Sequence, residues 1–212
     1  MAEQNQPIAS LQDIHDIKRI MERSSRFISL SGLSGIAAGI CALIGAYFAY
    51  DMIGKYYAKY NEQGYESAEF AQLRFNLLLL SAIVLSVALV SSFYFTWRRA
   101  KHDHVPLWDL TSRKLMWNML VPLISGGIFI LAMLQYNEWK FIAPTCLIFY
   151  GLALVNGSKY TLSDIRYLGY LEIILGLINT QFVGEGIYFW AVGFGVLHII
   201  YGLVMWWKYE RQ

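Results

Sequence analysis

Apolar residues in this chain come in long unbroken runs. No polar stripe recurs at helical spacing, and apolar and polar residues do not alternate as in a strand. Segments 27–50, 75–97, 115–137, 141–158 and 187–207 contain no Asp, Glu, Lys or Arg. A sixth run, 167–184, is interrupted by one acid, Glu172, and the span predicted around it is 163–182. A hydrocarbon core of about 30 Å takes roughly 20 helical residues, with about 17–25 tolerated. The pattern therefore predicts an all-α, polytopic membrane protein: a bundle of six transmembrane helices spanning 27–207. Ahead of it lies a polar segment, 1–26, and after it a tail, 208–212. A soluble bundle would need a polar face on each helix, and membrane strands would be shorter and alternating.

Segment 1–26 predicts an amphipathic helix. Leu11, Ile14, Ile17 and Met21 recur at three- and four-residue spacing, and Ser10 with Asp13 forms a capping signal. Lys18, Arg19, Arg23 and Arg26 would face anionic headgroups or a cytosolic partner.

Composition agrees with the runs and adds little: 57% of residues are apolar and 15% charged, against about 25% charged in an ordinary soluble domain. The net charge of +2 provides no field for nucleic acid. The distribution of charge is more informative. Thirteen of the 17 Lys and Arg fall in segments that six crossings place on the side of the N-terminus. The other four, Lys55, Lys59, Arg74 and Lys140, fall opposite. Basic loops stay cytoplasmic, so both termini are expected inside. Outer loops are short, which leaves no room for a soluble catalytic domain.

Small residues mark expected helix contacts: Ser31, Gly35 and Gly39 with Ala38, Ala42 and Ala46, then Gly126, Gly127, Gly193, Gly195 and Gly202. Phe149-Tyr-Gly-Leu-Ala-Leu leading to Lys159-Tyr160 is echoed by Ile200-Tyr-Gly-Leu-Val-Met leading to Lys208-Tyr209. A duplicated hairpin or chance within an apolar alphabet accounts for this equally well.

Four constellations could carry chemistry. Ionisable groups inside spans are functional candidates by default, which singles out Glu172 and His198. Asn156 and Asn179 are further polar residues nearer span ends. The pair reads either as a protonatable site on a substrate or proton path, or as a hydrogen bond between helices. A polar cavity around it would mark the first, a dry packed pair the second. In the loop 98–114, Arg98 and Arg99 extend the basic inner face, and His102 and His104 flank Asp103. Two imidazoles without further ligands make a weak metal site. Beyond Pro106, Asp109 or Thr111 could start a short interfacial helix. Finally, Gly32-Leu-Ser34-Gly35 with His198 resembles the serine–histidine dyad of rhomboid intramembrane proteases. Rhomboids, however, carry the serine on their fourth span and a histidine motif on the second, and here Ser34 is on the first. Cys41 and Cys146 stand alone in apolar runs, with no ligand spacing. No cofactor is expected.

The runs Met21-Glu-Arg-Ser-Ser-Arg-Phe-Ile-Ser-Leu-Ser-Gly-Leu-Ser-Gly35 and Tyr150-Gly-Leu-Ala-Leu-Val-Asn-Gly-Ser-Lys-Tyr-Thr-Leu-Ser-Asp-Ile-Arg166 are similar to those of an uncharacterised bacterial family of small six-span inner-membrane proteins. The resemblance implies a multi-pass bacterial inner-membrane location and no activity. The leading functional expectation is a non-enzymatic accessory or regulatory protein that docks a cytosolic partner through its basic inner face. The second is a small transporter or ligand-binding bundle built on Glu172 and His198. Oligomeric state is left open.

Overall fold

The computed structural model describes residues 31–59 and 68–211. Segment 1–26, with Lys18, Arg19 and Arg23, lies outside the described residues. Those described form six helices and no strand. They are α1 Gly32–Lys59, α2 Ala68–His102, α3 Leu110–Gln135, α4 Ile142–Gly157 (entered through a 3₁₀ turn, Trp139–Phe141), α5 Ile165–Asn179 and α6 Val183–Tyr209. Five of them, all but α5, are long and apolar enough to cross a membrane.

The helices overrun the charge-free segments because backbone hydrogen bonds are indifferent to side-chain polarity. At 1.5 Å per residue the 35 residues of α2 span roughly 52 Å, well beyond a 30 Å hydrocarbon core. Polar i,i+4 pairs decorate the overrun: Lys55 with Asp51 at 2.7 Å, and Gln72 with Asn76 at 3.0 Å. In contrast, α5 has only 15 residues, about 22 Å.

Burial points to lipid as the solvent. In the most apolar stretch of α2 no residue is buried, and Val90 and Phe93 are 70% and 67% exposed. An apolar surface of that length is untenable in water. Along its length the helix packs mainly on α1, whereas α1 also packs on α6, and α4 packs on α3, α5 and α6.

Glycines set the two tightest crossings. A Cβ at Gly202 would stand 2.6 Å from Gly32 O and 2.7 Å from Ile36 N. The small-residue ladder of α1 is therefore an intramolecular contact with α6. A Cβ at Gly151 would stand 2.6 Å from Gly169 O, closing α4 on α5 in the same way. Gly151 and Gly202 are the equivalent glycines of the two Tyr-Gly-Leu stretches, and each lies where another helix crosses.

Polar clamps hold both ends of the bundle. At one end Arg99 of α2 donates to Glu210 (2.9 Å) and to Tyr209 O (3.2 Å), just past and at the end of α6. Glu210 also accepts from Ser31 Oγ at 3.2 Å and from Gly32 N at the start of α1. At the same end Asp164, just before α5, accepts from Lys208 Nζ (2.7 Å) and Tyr209 Oη (2.8 Å). Partial burial pushes the Asp164 carboxyl up, but these two donors outweigh it and hold it below the usual carboxylate range. At the opposite end Asn137 takes a left-handed backbone (φ 59°) to end α3. Its side chain accepts from Arg74 at 2.6 Å, and the Arg74 guanidinium lies 4.8 Å from the Trp139 ring.

Asp109 caps α3 itself, so the short interfacial helix expected beyond Pro106 is the first turn of the long one. Its carboxylate accepts from Ser112 N and Oγ, each at 2.6 Å. The same bonds hold its carboxyl below the usual range. Replacing an Asp cap by Ala costs about 1 kcal/mol. Asp109→Ala is expected to lower stability by that amount, and Asp109→Ser to restore most of it, in thermal melts of the detergent-solubilised protein.

Candidate functional site

Glu172 lies in the middle of α5, on the face shared by Gly169, Gly176 and Asn179, all four of them buried. Spacings of three and four residues place this face against α4 and α6. Across from it α6 departs from α-helical winding: Ala191–Leu197 is a π-helical stretch. Such stretches are rare overall and frequently lie at functional sites. This one brings the backbone of Gly193 against the carboxyl, where a Cβ would stand 2.6 Å from Glu172 Oε2. Any larger residue there would have to displace the Glu172 carboxyl and the Leu147 side chain, which a Cβ would also meet.

His198 follows the π stretch. Its Nδ1 is 3.0 Å from Gly193 O and 3.5 Å from Glu172 Oε1. A carbonyl oxygen can only accept, so Nδ1 carries a hydrogen. In the neutral ring Nε2 is then an acceptor, and Tyr150 Oη of α4 lies 2.8 Å from it. The ring is held between aromatic neighbours, with Tyr150 at 5.3 Å and Phe194 at 5.9 Å between centroids. The result is a phenol–imidazole–carboxyl series drawn from three helices.

Glu172 is fully buried, and neither carboxyl oxygen has a hydrogen-bond partner. Leaving a buried carboxylate without a donor is expensive, and more so in a membrane. The imidazole hydrogen is directed to Gly193 O, with the Glu172 carboxyl 3.5 Å from the same nitrogen. Two open grooves lie elsewhere on the surface, one along α1 from Tyr47 to Ala58 and one between α3 and α4. The site is a buried cluster in which α4, α5 and α6 bring Tyr150, Glu172 and His198 together.

The remaining candidates are scattered. Asn179 is buried near the far end of α5, where its Nδ2 donates to Phe182 O at 3.1 Å and holds the turn into α6. Asn156 reaches to α3, donating to Asn118 O at 2.8 Å. Ser34 donates to Ser31 O at 2.5 Å, and both nitrogens of His198 have other partners, so no serine–histidine dyad is assembled. His102 is exposed and paired with Asp103 at 3.0 Å. His104 takes the left-handed position (φ 53°) that ends α2. Among the described residues no group of three or more His, Cys, Asp or Glu could hold a metal ion. On the basic face Arg98 is exposed, whereas Arg99 is engaged with Glu210. Tyr150 is the site residue that sequence reasoning missed. The available signal was a hydroxyl inside an apolar run.

Fold and site together define a class: an all-helical bundle with the build of an integral membrane protein and a buried carboxyl–imidazole–phenol cluster. Compared with known proteins, the chain matches no family model, no curated protein and no solved structure.

Proposed function

We propose a six-span protein of the bacterial inner membrane, with both termini cytoplasmic, whose Glu172–His198–Tyr150 cluster binds and releases a proton as part of transport or ligand binding. The observation that carries this reading is the fully buried Glu172 carboxyl, which has no hydrogen-bond partner and lies 3.5 Å from an imidazole nitrogen. A proton, or a small cation exchanging with it, relieves the cost of that burial. His198, between Tyr150 and Glu172, is placed to pass it on.

The ends of α5 support a sixth crossing. Asp164 meets Lys208 at the end of α6, and Asn179 lies beside Gly186 near its start. The short helix therefore runs antiparallel to nearly the whole of a membrane-length one. Orientation rests on the thirteen basic residues of one side. Reporter fusions at the C-terminus and at residue 140 are expected to report opposite sides.

Infrared difference spectra of the reconstituted protein between acid and alkaline pH test the site. A carboxyl band that titrates in wild type and is absent in Glu172→Gln is the expected result. Identical spectra for the two would sink the proposal. The second reading, partner docking, is favoured by the exposure of Arg98, Lys101, Arg113 and Lys114 around one loop. A docking protein would lose its cellular phenotype with Arg98→Ala/Lys101→Ala and keep it with Glu172→Gln. A proton-binding bundle gives the reverse.

A further inference from the structure

The groove between α3 and α4 is unrelated to Glu172. Pro122, which lies inside α3, lines it. Proline has no N–H, so the carbonyl four residues back, Asn118 O, loses its helical donor. Asn156 of α4 fills the gap, donating Nδ2 to that oxygen at 2.8 Å. The ladder continues in both directions. Asn118 Nδ2 donates to Lys114 O at 2.8 Å, and Lys159 Nζ donates to Asn156 Oδ1 at 3.3 Å. Lys114 and Lys159 are both exposed, and among the described residues neither forms an ion pair.

Beside this polar rung an open groove of about 380 Å³ is lined by Pro122, Ser125, Phe149, Leu152 and Val155, together with Asn156 and Lys159. The Ser125 hydroxyl is spent on its own helix, donating to Val121 O at 2.8 Å. The trench is thus apolar along its length and cationic at one end. That end carries the start of α3 and the end of α4, where the chain leaves the apolar runs.

We propose that this groove is a binding site for one anionic phospholipid, with an acyl chain along Phe149 and Leu152 and the phosphate at Lys159 and Lys114. Charge complementarity at the rim and the apolar trench behind it select this occupant. A basic side chain at headgroup level attracts anionic lipid, and a lipid-facing trench takes an acyl chain without desolvating any polar group.

Native mass spectrometry of the full chain in detergent, titrated with phosphatidylglycerol and with phosphatidylcholine of the same acyl chains, tests it. Wild type is expected to retain one phosphatidylglycerol and to discriminate against phosphatidylcholine. Lys114→Gln/Lys159→Gln is expected to weaken phosphatidylglycerol roughly tenfold, with Lys159→Arg retaining it. Leu152→Trp, which fills the trench, is expected to abolish the bound lipid. Equal retention of both lipids, or an unaffected double variant, overturns the proposal. So does equal competition by inorganic phosphate, which would show an anion site without an acyl-chain groove. If Leu152→Trp does not fold, the Gln and Arg variants at 159 still decide, because that side chain is exposed.

Discussion

Gly202→Val is expected to cause a large loss of stability, lowering the melting temperature by about 10 °C. The new Cβ would fall 2.6 Å from Gly32 O and 2.7 Å from Ile36 N. Both are backbone atoms and cannot rotate aside as a side-chain terminus would. Relief requires α1 and α6 to move apart, which also pulls Ser31 and Gly32 from Glu210. Overpacking costs about 1–3 kcal/mol and more when backbones must shift; for a chain of this size each kcal/mol is about 2–4 °C. Gly127→Ala is the control. Its Cβ would meet nothing within 4 Å, and exchanging Gly for Ala in a helix is favourable by about 1 kcal/mol. Melts in detergent, followed by circular dichroism, read both variants. A Gly202→Val protein that melts with wild type would contradict so close a crossing.

The apolar runs were legible because a membrane core excludes charge over a fixed length, so gaps between charges locate the helices. Their ends were not, since α1 runs on to Lys59 and α2 begins at Ala68 through polar sequence that still forms helical hydrogen bonds. The apolar gap around α5 overstated its helix, because the chain uses Thr161–Asp164 and Thr180–Phe182 as turns. Glu172 and His198 stood out as ionisable groups in apolar runs. Their meeting depends on a π-helical stretch that no spacing rule anticipates, since a regular register does not set them level. Asn156 was legible in principle. Pro122 announces an unsatisfied carbonyl at Asn118, and an asparagine on the next helix can supply the missing donor.

Arg99 was counted with the basic inner face because charge counting treats every base as free. Its partner Glu210 lies 111 residues away in sequence. The pair decides how much of that face remains for a partner, and a double-mutant cycle measures it. Both side chains are little exposed, 11% and 13%, so the interaction exceeds that of an ordinary surface pair. Glu210 places negative charge at the N-terminus of α1, and Arg99 places positive charge on the last carbonyls of α6; both complement the helix dipoles. Arg99→Ala is expected to cost about 2–3 kcal/mol, the range for losing hydrogen bonds to a charged group. Glu210→Ala is expected to cost at least as much, because Ser31, Gly32 and Arg99 all lose an acceptor. The double variant should cost less than the sum by about 1.5 kcal/mol or more. Arg99→Lys keeps the charge but not the fork that reaches both Glu210 and Tyr209 O, so it should recover only part of the loss. Denaturant titrations in a fixed detergent supply the four corners. Additive losses would return Arg99 to the free basic residues that a docking surface needs. Coupling assigns it to closing the bundle and leaves Arg98, Lys101, Arg113 and Lys114 as the cations that face outward.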